Sequence, residues 1–324
     1  MNLRDDGPAI TVTGLRKSFG EHAVLDGITF AVEPGTVFAL LGPNGSGKTT
    51  TVSILSTLLA PDAGDVLIAG RDVVREPDAI RATIGLTGQF SAVDDLLTGR
   101  ENLALMADLQ HLPRGGARRR VDELLERFEL SDAAARTAAT YSGGMRRRLD
   151  LAMTLVGTPT VLFLDEPTTG LDPRSRRTMW DSITALVAKG VTVLLTTQNL
   201  EEADRLADQV AILDAGRLVA QGTPEELKRR VPGGHIDLEF ADAAAHAAAA
   251  SVLHVSARQD DTLALQVPTD AHAATLRRVL SELDDAHIDV ANLSLHTPDL
   301  DDVFLALTGQ PATNEAAMAR ERTS

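Results

Sequence analysis

The stretch Gly42-Pro43-Asn44-Gly45-Ser46-Gly47-Lys48-Thr49 constrains this chain more than any other. It fits the pattern G-x-x-x-x-G-K-[ST] at every position. Its surroundings fit as well. Thr36–Leu41 is an apolar run of strand length leading into the glycines, and Thr50–Leu59 reads as a helix carrying Val52, Ile54, Leu55, Leu58 and Leu59. Glycines permit the tight turn in which successive backbone N–H groups converge on phosphate oxygens. The helix N-terminus adds about half a positive charge. Lys48 supplies a point charge for β- and γ-phosphates, Thr49 offers Mg²⁺ a hard hydroxyl ligand, and Thr50 follows in the same turn. The loop predicts binding of a nucleoside triphosphate and leaves open what the energy is used for.

Two further strands point at the same chemistry. Thr160-Val161-Leu162-Phe163-Leu164-Asp165-Glu166 is an apolar run ending in two carboxylates. A buried parallel strand reads this way, and ligands collect at its C-terminal end. Asp165 is placed to hold Mg²⁺, directly or through water, and Glu166 to polarise a water for attack on the γ-phosphate. Val191–Thr196 is another buried strand, ending at Thr197-Gln198. Glu201, Glu202 and Asp204 then crowd the first turn of a helix, where they suit its dipole. Tyr141-Ser142-Gly143-Gly144-Met145 opens a further helix. Ser142 suits an N-cap, and Gly143 and Gly144 bare N–H groups there, so the segment is either a second anion site or simple capping.

The remainder of the first 230 residues supplies a frame. Ala9–Thr13, Ile28–Val32 and Val66–Ile68 read as strands of an antiparallel sheet beside the nucleotide-binding core. Between the first two lies Lys17-Ser18-Phe19-Gly20, whose phenylalanine either stacks on a base or packs in the core. Ile84–Phe90 is an apolar strand giving way to a polar turn at Gln89. Residues 94–141 read as helical, with Pro113 and Gly115-Gly116 separating two helices. Arg114 and Arg118-Arg119-Arg120 form a basic cluster there, read as a solvated helix face. Val210–Leu213 and Arg217–Ala220 flank Asp214-Ala215-Gly216 as a hairpin.

Beyond Val231-Pro232-Gly233-Gly234, a linker, a second unit of about 235–308 is predicted. Ile236–Phe240, His254–Ala257, Leu263–Val267 and Ile288–Leu295 read as strands, and Asp242–Val252 and Leu276–Leu283 as helices. That order suggests a small α+β, ferredoxin-like split βαβ domain. Residues 309–324 read as a disordered tail. His235, His254, His272, His287 and His296 are scattered without ligand spacing.

Composition removes some uses of this machinery. The 324 residues carry a formal net charge of -15, which disfavours a broad electrostatic grip on DNA or RNA. With no cysteine, disulfides and cysteine metal sites are excluded. No apolar run reaches the roughly 18 residues of a membrane span, and the first eight residues show no signal region. Any crossing of a membrane falls to another chain.

Taken in order, these segments resemble the ATP-binding subunits of ABC transporters, over about Ala9 to Lys228. Gly42–Thr49 is the phosphate loop. Gln89 falls at the Q-loop glutamine, and Leu164-Asp165-Glu166-Pro167 at the Walker B segment with its catalytic glutamate. Thr169-Gly170-Leu171-Asp172 resembles the D-loop. Ser142-Gly143-Gly144-Met145 resembles the signature usually written LSGGQ, with Tyr141 and Met145 as departures. Phe19 falls at the adenine-stacking position. Thr197–Asp204, Asp165–Ser175 and Leu300-Asp301-Asp302-Val303-Phe304-Leu305 resemble the daunorubicin-resistance type within that family.

The resemblance implies an α/β, P-loop NTPase fold with an antiparallel β subdomain and a helical subdomain at about 91–155, within a nucleotide-binding domain of 1–230. It implies an ATPase using ATP and Mg²⁺, acting as a homodimer beside a separate membrane permease at the cytoplasmic face of the membrane, and exporting drugs or other hydrophobic compounds. An importer subunit and a soluble ATPase acting on ribosomes or nucleic acid are the alternatives. In the implied head-to-tail dimer, Lys48, Thr49, Gln89, Asp165, Glu166 and Gln198 of one subunit meet Ser142 and Gly144 of the other, with Asp172 near the facing phosphate loop. Gln198 stands where the family has a histidine. Its amide can donate a hydrogen bond but carries neither proton nor charge, so a slower ATPase is expected.

Overall fold

The computed structural model describes residues 7–88, 92–231, 234–255, 263–269 and 273–309. These are divided between two compact units, the second beginning at Glu225. In chain order the first contains β1 (Ile10–Phe19), β2 (His22–Val32), β3 (Val37–Leu41), α1 (Lys48–Leu55), β4 (Ala63–Ile68), β5 (Arg71–Asp72), α2 (Pro77–Arg81) and β6 (Ile84–Thr87). Next come α3 (Gly99–Leu109), α4 (Arg114–Arg127), α5 (Gly143–Thr154), β7 (Val161–Asp165), α6 (Pro173–Val187), β8 (Thr192–Thr197), α7 (Leu200–Leu206), β9 (Gln209–Asp214) and β10 (Arg217–Gly222). A short helix, α8 (Pro224–Lys228), spans the division.

Two sheets carry the first unit. A six-stranded sheet has the order β10-β9-β3-β8-β7-β6. It is parallel from β9 to β6, with β10 added antiparallel at one edge. β3, β7 and β8 are buried along their whole length, as strands covered on both faces must be, and each therefore reads as an unbroken apolar run. The four-stranded antiparallel sheet β2-β1-β4-β5 packs Ile10, Val12, Phe30 and Ile68 toward Phe38, Leu40 and α1. The rings of Phe30 and Phe38 stack with centroids 5.0 Å apart, joining the two sheets.

Several boundaries differ from the sequence reading. Residues Lys17–Phe19, which the sequence places between two strands, are the end of β1, paired with β2 up to Phe19 opposite His22. α1 stops at Leu55, because Thr57 adopts a left-handed backbone, and Leu58 is left 68% exposed. Leu96 is likewise 86% exposed in a turn before α3, whose start is fixed by a reciprocal Thr98–Glu101 capping box. Gly115 and Gly116 lie inside the first turn of α4, where the N–H groups have no helical partner in any case. The break falls at His111, which has positive φ, and Pro113, the N-cap. The arginine cluster divides. Arg114 and Arg118 line a groove of about 620 Å³ between α3 and α4, whereas Arg120 turns inward and donates to Leu155 O at 2.6 Å.

The second unit contains β11 (His235–Glu239), α9 (Ala243–Val252), β12 (Ala264–Pro268), α10 (Ala273–Asp285), β13 (Asn292–His296) and α11 (Leu300–Thr308). Its sheet has the order β12-β11-β13, antiparallel throughout. Ile236, Leu238, Leu265, Val267, Val279 and Leu283 form its core. This is three strands of a split βαβ arrangement. The second strand predicted, His254–Ala257, is not seen among the described residues. His254 sits in a turn with positive φ, and 256–257 lie outside the described part. β13 is also shorter than predicted, beginning at Asn292. α11 ends on Gly309, whose left-handed backbone terminates it. The tail from residue 310 onward, expected to be disordered, lies outside the described residues.

Candidate active site

The C-terminal ends of three adjacent parallel strands bring the predicted residues together. β8 lies between β3 and β7. The phosphate loop follows β3, the two carboxylates end β7, and Gln198 follows β8. Strand order alone therefore places Gln198 between the loop and the carboxylates.

The loop is closely walled. A Cβ on Gly42 would overlap the carbonyl oxygen of Leu213 and come within 2.6 Å of Ser46 Oγ. Gly47, at φ 110°, caps α1, and a Cβ on it would come within 2.6 Å of Leu25 Cδ2. Both positions require glycine. Gly45 also has positive φ, while Pro43, Asn44, Thr49 and Thr50 retain access to solvent. Lys48 is buried, and its ammonium donates to Gly42 O at 2.7 Å and Pro43 O at 3.0 Å. Burial holds its pKa below the ordinary lysine value, opposed by the charges of Glu166 and Asp165. Among the described residues, the buried Ser46 hydroxyl has no hydrogen-bond partner. A cradle with a buried ammonium and an unpaired hydroxyl suits a polyphosphate anion.

Asp165 is buried and accepts a hydrogen bond from the Thr196 hydroxyl. Glu166 has a left-handed backbone, φ 49°. Its N–H donates to Thr196 O at 3.0 Å, and its carboxylate accepts from Thr169 Oγ1 at 3.2 Å. The Gln198 amide donates to Glu166 Oε1 at 2.6 Å and to Asn44 Oδ1 at 2.8 Å. Gln198 thus ties the phosphate loop to the glutamate through an uncharged group. The hydroxyl of Thr49 and the carboxylate of Asp165 are the hard oxygen donors that fit Mg²⁺.

The signature segment is an N-cap, as predicted: Ser142 Oγ accepts from Met145 N at 3.2 Å. Gly143 has open space around its Cα, but a Cβ on Gly144 would overlap Ser175 Oγ and lie 2.8 Å from Ser175 Cβ. Ser175 in turn donates to Asp172 at 2.6 Å, and Asp172 caps α6 by accepting from Arg174 N and Ser175 N. The Ser175 hydroxyl and N–H hold the Asp172 carboxyl below its usual range. Phe19 is 53% exposed, with Lys17 Nζ 5.6 Å from its ring centroid, so the ring is free to stack rather than part of the core. Gln89 lies outside the described residues.

Three contributors were not visible in the sequence. Thr196, the last-but-one residue of β8, holds both Asp165 and Glu166. Arg147, in the middle of Arg146-Arg147-Arg148, is largely enclosed against the carboxylate-bearing turn. Glu202 is not a solvent-facing partner of a helix dipole. It is buried, and accepts from the Trp180 indole at 3.1 Å.

Comparison with known proteins agrees with this geometry. The ABC transporter family model matches residues 25–169, and a model for the C-terminal domain of DrrA1-3-like ATP-binding proteins matches 222–308. The daunorubicin resistance ATP-binding protein DrrA3 of Streptomyces coeruleorubidus is 52% identical over 303 residues, covering 93% of this chain and 96% of that protein. The chain is an ABC transporter ATP-binding subunit of the DrrA type. The daunorubicin/doxorubicin resistance ATP-binding protein DrrA of Streptomyces peucetius is 48% identical over 318 residues, 95% of this chain and 96% of that protein. Among solved structures, an ATP-binding subunit of an ABC transporter superposes with a TM-score of 0.62 at 30% identity, covering 68% of this chain and 92% of that one. As an ABC ATPase domain, the chain is built for ATP hydrolysis. No helix among its described residues is long and apolar enough to cross a membrane.

Proposed function

We propose that this ABC subunit hydrolyses ATP to drive export of drugs or other hydrophobic compounds through a separate membrane permease, working as a homodimer at the cytoplasmic face. The observation that carries the reading is likeness over nearly the whole chain to ATP-binding proteins named for daunorubicin and doxorubicin resistance. It is supported by a site in which the described catalytic candidates Lys48, Glu166 and Gln198 converge at the C-terminal ends of three adjacent parallel strands.

Each described residue has a role its surroundings suit. Lys48 exchanges the carbonyls of Gly42 and Pro43 for phosphate oxygens, and Ser46 gains the partner it lacks. Thr49, Asp165 and Gln89 would hold Mg²⁺, which when bound neutralises phosphate charge. Glu166 orients and polarises the attacking water. Gln198 holds Glu166 in place and donates toward the γ-phosphate. Phe19 stacks on adenine. Ser142, Gly143 and Gly144 of the partner subunit close the site over the γ-phosphate, with Asp172 near the facing loop, so that ATP joins two chains and hydrolysis releases them.

The test is affinity purification of the tagged chain from solubilised native membranes. A polytopic membrane protein recovered in similar amount is expected. Ribosomal or nucleic-acid material without a membrane partner would overturn the transport reading and leave the ATPase chemistry standing.

A further inference from the structure

The guanidinium of Arg147 uses all five of its N–H donors, and four of the acceptors are main-chain carbonyls. Nε donates to Pro167 O at 2.9 Å. Nη1 donates to Gly88 O and Asp150 Oδ2, both at 3.1 Å. Nη2 donates to Asp165 O at 3.1 Å and Glu166 O at 3.2 Å. Asp150 extends the network by accepting from Ala92 N at 3.1 Å. Arginine and aspartate are both nearly enclosed. One planar fork on the signature helix therefore grips the turn that carries both carboxylates. With Asp150 it also grips the chain on either side of Gln89.

Holding the fold together asks for less than this. A buried cation needs a counter-charge and saturated donors, and any nearby carbonyls would serve. Here every carbonyl belongs to the segment whose position sets Asp165 and Glu166, or to the strand end leading to Gln89. Arg147 lies one turn beyond Gly143 and Gly144 on α5, and a helix turn transmits displacement rather than absorbing it. Movement of the carboxylate turn when its own site fills must therefore carry the Ser142–Gly144 end of α5 with it.

We propose that Arg147 is a positioning residue that couples the two composite sites of the dimer, relaying occupancy of a chain's own phosphate loop to the signature end it presents to its partner's nucleotide. The inference rests on the head-to-tail dimer proposed above. Asp150 is the second member of the relay.

The test uses the full chain in a Glu166→Gln background, so that ATP binds without turning over. MgATP affinity is measured by equilibrium dialysis, and dimerisation by light scattering against chain concentration. Arg147→Lys keeps the cation beside Asp150 but has three donors in place of five and no planar fork. MgATP affinity is expected within about threefold of the parent, while the chain concentration for ATP-driven dimerisation rises at least about tenfold. Asp150→Asn, which leaves one acceptor oxygen for the two donors Arg147 and Ala92, is expected to shift dimerisation in the same direction. Dimerisation by Arg147→Lys at the parent concentration would overturn the proposal. So would parallel loss of nucleotide affinity and thermal stability, which would make Arg147 a fold-holding residue only. Failure of the Glu166→Gln parent itself to dimerise with MgATP would instead remove the dimer on which both readings stand.

Discussion

Gly144 offers a test that separates packing from catalysis. Its missing Cβ would overlap one side chain, Ser175: the hydroxyl most severely and the Ser175 Cβ at 2.8 Å, with Ser175 Cα already at an ordinary 3.9 Å. Gly144→Ala forces Ser175 to move, an overpacking cost of about 1–3 kcal/mol. Replacing glycine within a helix returns about 1 kcal/mol, so the single variant is expected to lose roughly 0–2 kcal/mol. Ser175→Gly alone costs about 1–3 kcal/mol, by placing glycine in α6 and by removing the hydroxyl's hydrogen bond to Asp172. Combined, the overlap disappears, and the double variant should exceed the sum of the singles in stability by about 1–3 kcal/mol. Trp180 makes the measurement direct. It is the only tryptophan, 1% exposed, and lies on α6 beyond Ser175, so its fluorescence in a urea titration reports this region. Additivity within about 0.5 kcal/mol would refute the packing argument. On the dimer proposed above, in the Glu166→Gln background the restored double variant should still fail to dimerise with MgATP, because the methyl would keep the backbone away from the phosphate. Recovery of dimerisation together with stability would show that Gly144 is needed only for Ser175.

Three further outcomes follow from the site. Gly42→Ala drives a methyl into the Leu213 carbonyl, a main-chain atom of β9 that cannot turn aside, so loss of MgATP binding is expected together with roughly 1–3 kcal/mol of stability; unchanged binding would mean the loop is less closely walled than it is here. Gln198→Ala removes the tie between Asn44 and Glu166 and should lower kcat about 10- to 100-fold with a smaller change in KM, with no ionisation attributable to position 198 in the pH profile of either protein; a parent profile that loses an ionisation on this substitution would contradict the role given to the amide. For Glu202, burial raises the folded pKa above 4.5 while Thr197, Thr168 and Trp180 oppose it. The folded chain then holds a proton that the unfolded chain releases, so this residue subtracts stability as pH rises from 4.5 through the folded value. Glu202→Gln, followed by Trp180 fluorescence, should gain on the parent as pH rises above 4.5, and a difference that does not change with pH would count against it.

Much of this was legible in the residues, for identifiable reasons. β3, β7 and β8 are covered on both faces, so their sequences are unbroken apolar runs. The phosphate loop is constrained by main-chain geometry, which leaves its mark as glycines. What remained hidden depends on which way a side chain points. Successive residues on a helix are about 100° apart, so Arg146, Arg147 and Arg148 take unrelated partners: Asp95, the carboxylate turn, and the Phe128 carbonyl with Glu129. Nothing in three consecutive arginines marks the middle one. The bond from Gln198 to Glu166 rests on β8 inserting between β3 and β7, a matter of strand order. Glu202 read as one of several acidic residues at a helix start because its burial comes from Trp180, 22 positions away.

The left-handed backbone of Glu166 narrows the paths by which this subunit can drift in evolution. A residue there must tolerate φ near 49°, which β-branched side chains scarcely do. A change to valine or isoleucine would therefore strain the turn as well as remove the carboxylate, and through Arg147 that strain would reach α5. Replacements that fit the backbone, such as asparagine or glycine, would remove the carboxylate while leaving the main chain at ease. Degenerate copies of such a subunit, retained for assembly rather than hydrolysis, should be recognisable by a small or amide-bearing residue at this one position.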